Sequence, residues 1–130
     1  MRLVWTAGWL LLLLHFAAAF GEFHHWSHAH AYADTAMKTE RVTGLAWGGG
    51  IYFNYAMLLL WGADVACWWL APQTVRPRPR LLTVGLHAFL YFMVFNATVV
   101  FESGPIRWAG LAASMALLAE LAWVRNRGRP

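Results

Sequence analysis

The sequence predicts an all-α, polytopic integral membrane protein: a bundle of four transmembrane helices in one domain. Three observations carry that expectation. Hydrophobic residues make up 60% of the chain and charged ones 12%, where a soluble domain carries about 25% charged residues. The apolar residues gather into four runs near the length of about 20 that crosses a bilayer core. The basic residues sit in short clusters between those runs, the pattern that orients helices in a membrane.

The first run, Leu3 to Phe20, holds His15 as its only ionisable side chain. Arg2 before it and Ala17-Ala18-Ala19 near its end resemble a signal peptide, but the apolar stretch exceeds the usual ~7–15 residues. A retained helix is the favoured expectation and a cleaved leader the alternative. The second run, Leu45 to Leu70, is long enough to tilt and contains one charge, Asp64. The third, Leu81 to Phe101, has no formal charge and one histidine, His87. The fourth, Pro105 to Val124, has Arg107 and Glu120 near its ends, and Pro105 suits a first helical turn. On it Ala109/Ala113, Gly110/Ser114 and Ala112/Ala116 recur every four residues, as where helix backbones approach closely in lipid. Gly48-Gly49-Gly50 thins the second run in the same way.

Charge sets the orientation. Arg2, Arg76, Arg78, Arg80, Arg125, Arg127 and Arg129 fall on one side, and Lys38, Arg41 and Arg107 on the other. The positive-inside rule places both termini and the loop 71–80 in the cytoplasm. Trp5, Trp68, Trp69 and Trp123 then anchor inner ends, and Trp26, Trp47 and Trp108 outer ends. Pro72, Pro77 and Pro79 make the inner loop a short stiff turn. The segment 21–44 faces outward, and its part from Ser27 to Val42 reads as an interfacial helix. The small size and the lack of eukaryotic targeting signals point to a bacterial inner membrane.

The histidines are the most unusual feature. His24, His25, His28 and His30 fall within seven residues. On a helix His24 and His28 share a face, as do His25 and His28, and imidazole pairs one turn apart suit zinc or copper. His30 and Asp34 are also four apart, a spacing at which the carboxylate can orient the ring. Without a metal, the same residues form an interfacial girdle with Phe23, Trp26 and Tyr32.

Polar residues inside the runs come next, because lipid makes them costly. Asp64, His87 and Glu120 lie at similar depth from the cytoplasmic side and can form one layer, with an Asp64–His87 hydrogen bond. His15, Asn54 and Asn96 form a second layer toward the outer face. These layers are either interhelical fastenings, each worth about 1 kcal/mol, or a proton or ion relay. A haem held by His15 and His87 is disfavoured, since their depths differ by about 9 Å of helix rise.

The sequence therefore supports three functions: transition-metal binding at the outer histidines, a non-catalytic membrane subunit, and a small proton-coupled carrier or membrane enzyme. No nucleophile elbow or phosphate loop occurs, so no catalytic residue is named. Cys67, among Val65, Ala66 and Trp68, is an inert thiol in apolar surroundings. The expected partners are the lipid bilayer and a further membrane subunit or a second copy of the chain; nucleic acid is excluded by the dispersed basic clusters.

Overall fold

In a computed structural model of the chain, residues 2–75 and 77–127 are described. Arg76 and Arg129 of the inner-face cluster lie outside them. The described residues form helices and turns without strand: α1 (Arg2–Glu22), α2 (His28–Thr43), α3 (Gly50–Leu70), a single turn α4 (Pro72–Val75), α5 (Arg80–Phe95) with a π-helical continuation over Asn96–Val100, and α6 (Gly104–Arg127). Two helices are long and apolar enough to cross a membrane, Arg2–Glu22 and Arg80–Val100. Within the protein, none of the α1 apolar stretch is buried and 11% of the other is. Helix α3 matches them in length and carries Asn54, Asp64, two tyrosines and three tryptophans.

Several boundaries differ from expectation for local reasons. Helix α3 starts at Gly50 rather than Leu45, because Gly48-Gly49 form a turn and glycine is a poor helix former. The inner loop is not wholly a turn: Pro72 opens a helical turn through Val75, where its missing N–H would be unpaired in any case. At the end of α5, Asn96 Nδ2 donates to the Phe92 carbonyl at 2.7 Å and Thr98 Oγ1 to Val94 at 2.8 Å. The Phe101 N–H reaches back five residues to Asn96, and side chains that compete for helical carbonyls accompany this wider winding.

The chain divides into two compact units, Met1–Leu90 and Tyr91–Pro130. In the first, α1 and α3 run antiparallel and interlock. A Cβ on Gly8 would lie 2.9 Å from Trp61 Cζ2, and one on Gly62 2.9 Å from Trp9 Nε1. Each helix thus seats a tryptophan of the other on a glycine, and only glycine allows that approach. Trp9 Nε1 donates to the Leu58 carbonyl at 3.0 Å, and Trp69 Nε1 to Thr6 Oγ1 at 3.0 Å. The Arg2 guanidinium stands 4.7 Å over the Trp69 ring. The indole N–H of Trp61 has no partner among the described residues, so ring packing alone holds it.

Helix α2 begins and ends on strong signals. Ser27 caps it, accepting from the His30 N–H at 3.3 Å, and Gly44 closes it at φ 78° with its N–H on the Glu40 carbonyl. Gly44 is required there because that conformation is costly for other residues. Its inner face presents Ala31, fully buried, and Tyr32, which lies directly against Gly48. The glycine run therefore receives α2.

In the second unit α6 crosses the π-helical segment closely, since a Cβ on Gly110 would meet Thr98 Oγ1 at 2.5 Å. Beside that contact, Tyr91, Thr98, Ala109, Ala113, Ser114 and Leu117 help line an apolar groove of about 430 Å³. Ala109 and Ala113 thus border a groove, and Gly110 both lines it and makes the tight helix contact.

Candidate functional site

The histidine segment is built from the end of α1 and the start of α2. Helix α1 stops at Glu22, and residues 23–26 form a turn closed by Trp26 N–H to the Phe20 carbonyl (2.9 Å) and Ser27 N–H to that of His24 (2.8 Å). His25 and Trp26 both adopt left-handed backbone conformations, φ 49° and 57°. Glycine is the usual residue there, and each other residue costs about 1–2 kcal/mol.

His24 and His25 therefore do not share a helix with His28, which corrects the helical spacing on which a His24/His25/His28 ligand set depended. His24 sets its ring edge on Phe20 at 5.5 Å. His28 is held by α3: its Nδ1 lies 2.8 Å from Tyr55 Oη and its Nε2 3.5 Å from Tyr52 Oη. A neutral imidazole has one donor and one acceptor, so it can serve both phenols and tie α2 to α3. His25 and His30 are brought together instead, ring centroids 6.4 Å apart and planes at 76°. The Asp34 carboxylate pairs with Lys38 one turn further on, at 2.9 Å, and no hydrogen bond joins it to His30 among the described residues. Among the described residues, no group of three or more His, Cys, Asp or Glu is assembled that could hold a metal ion.

The inner polar layer also differs from expectation. Among the described residues Asp64 is the buried charged residue of the core, and its partner is Arg78, not His87. Arg78 donates from Nη1 to Asp64 Oδ1 and from Nε to Thr83 Oγ1 at 2.9 Å. Trp5 Nε1 donates to Asp64 Oδ2 at 2.8 Å, so both carboxylate oxygens are engaged. The Trp5 ring then stacks on His87 at 5.2 Å, standing where the Asp64–His87 hydrogen bond was expected. His87 Nδ1 lies 2.8 Å from the Thr83 carbonyl, which can only accept. Glu120 is exposed on α6 in the second unit.

Of the outer layer, His15 is exposed on α1 and forms no hydrogen bond with Asn54 among the described residues. Asn96 is turned back onto its own helix.

The sequence had shown Arg78 only as one of the orienting positives. The signal for its role was there, since the lone acid of a long apolar run requires a partner and Arg78 heads the nearest described basic pair. Tyr52 and Tyr55 were missed as well, though their three-residue spacing puts them on one face. Comparison with protein-family models, with curated proteins and with solved structures found no match for this chain.

Proposed function

We propose that this chain is a non-catalytic, four-span scaffold or subunit of a bacterial inner membrane, with both termini cytoplasmic and its polar groups used to fasten helices. The observation that carries this is Asp64. It is the charged group most able to serve a relay, yet Arg78 and Trp5 occupy both its oxygens. A carboxylate neutralised by a guanidinium is a fastening rather than a proton carrier.

The four spans are α1, α3, α5 with its π-helical end, and α6. Support for lipid as the surroundings comes from the outward apolar side chains of each, such as Leu3, Leu59, Leu81 and Met115, all at least 70% exposed. Water tolerates apolar patches of only a few hundred Å². The reading of α1 as a retained span, not a leader, draws on its reciprocal seats with α3 and on Trp5, which a cleaved chain would take from Asp64.

Two measurements test the proposal. In a Cys67→Ser background, single cysteines at Lys38 and the exposed Arg80 should be labelled from opposite faces of sealed vesicles; labelling from one face overturns the topology. In proteoliposomes, Asp64→Asn should leave ion and proton flux at the wild-type level, while recovery in mild detergent should bring down a stoichiometric membrane partner or a second copy. A flux that depends on Asp64 overturns the scaffold reading in favour of a carrier.

A further inference from the structure

We propose that His25 and His30 form an open two-histidine site that takes one exchangeable late first-row transition-metal ion, copper foremost. The juxtaposition comes from the left-handed pair His25–Trp26, which reverses the chain after α1 and sets the His25 ring beside the first turn of α2, where His30 stands. Two metal–nitrogen bonds of about 2.0–2.1 Å, with half an imidazole beyond each, span about 6 Å when the nitrogens stand opposite one another across the ion and about 5 Å at a tetrahedral angle. The observed 6.4 Å between ring centroids, with planes at 76°, therefore fits an ion with the two imidazoles opposed, an arrangement that square-planar copper accepts.

Availability separates this pair from its neighbours. His28 is occupied by Tyr52 and Tyr55, and His24 rests on Phe20. Neither His25 nor His30 has a side-chain hydrogen bond among the described residues, and both are exposed. Strained backbone at residues other than glycine is a mark of positions held for function rather than stability. Asp34 remains with Lys38, so the protein supplies two nitrogens and water fills the remaining positions. Open coordination suits an ion that is passed on rather than one that holds a fold. Imidazole donors and the Irving–Williams order make copper the tightest occupant among the common divalent ions.

The test is a Cu(II) titration of the full chain in lipid nanodiscs, purified without a histidine tag and read by electron paramagnetic resonance. The wild type should bind one equivalent with coupling to two nitrogens. His25→Gln and His30→Gln should each weaken binding by at least about tenfold, with His24→Gln and His28→Gln close to wild type. His25→Gly separates folding from binding, because glycine relieves the left-handed turn: it should raise the unfolding midpoint and still lose the copper. Retained affinity in His25→Gly or His30→Gln, equal losses across all four histidines, or no stoichiometric binding by the wild type would overturn the site.

Discussion

Replacing Gly62 with alanine tests the interlock between α1 and α3 most directly. The added methyl would lie 2.9 Å from Trp9 Nε1 and 3.0 Å from Cε2, where carbon contacts settle at about 3.5–4.0 Å. An indole ring cannot yield as a flexible chain end does, and Trp9 is tethered to the Leu58 carbonyl at 3.0 Å. Either the helices separate by about 0.5–1 Å or the ring turns and loses that hydrogen bond. Overpacking costs about 1–3 kcal/mol and the lost bond about 1 kcal/mol, while alanine's better helix propensity returns about 1 kcal/mol. The net destabilisation is about 1–3 kcal/mol. Gly8→Ala, 2.9 Å from Trp61 Cζ2, should behave alike. The double variant should lose less than the sum, because one helix displacement relieves both contacts. Gly85 supplies the control: a Cβ there meets nothing within 4 Å, so Gly85→Ala should be neutral or stabilising by up to about 1 kcal/mol. Unfolding by SDS titration from mixed micelles, followed by tryptophan fluorescence and circular dichroism, reads all four variants. Gly62→Ala and Gly8→Ala as benign as Gly85→Ala would refute the reciprocal seating.

Two further perturbations probe the fastenings. Arg78→Gln leaves Asp64 buried without its guanidinium and should cost about 3–5 kcal/mol, whereas adding Asp64→Asn should recover most of it; the same SDS titration measures both, and a double variant no better than the single would argue against the ion pair. Tyr55→Phe removes the phenol 2.8 Å from His28 and should weaken the α2–α3 attachment by about 1 kcal/mol, seen as faster amide exchange across 28–43 with α3 unchanged.

The helices were legible in the sequence because a long apolar run must pair its own backbone polar groups, which a helix does within one segment. Helix α2 was legible from its composition, rich in Ala, Met, Lys and Glu between Ser27 and Val42, and the structure adds the cap at Ser27 and the close at Gly44. The partner of Asp64 was decided otherwise. Trp5 is 59 residues away in the chain, and it reaches the carboxylate only because α1 and α3 pack antiparallel with Gly8 and Gly62 in register. Arg78 is nearer, yet periodicity does not carry through the proline-containing loop that returns it to α3. The histidines show the same division. Their crowding is a property of the sequence, but which two rings face each other depends on the left-handed torsions at His25 and Trp26. Local composition fixes the helices here because each closes its own hydrogen bonds; pairing between side chains depends on register and turn geometry, which exist only once the helices have packed.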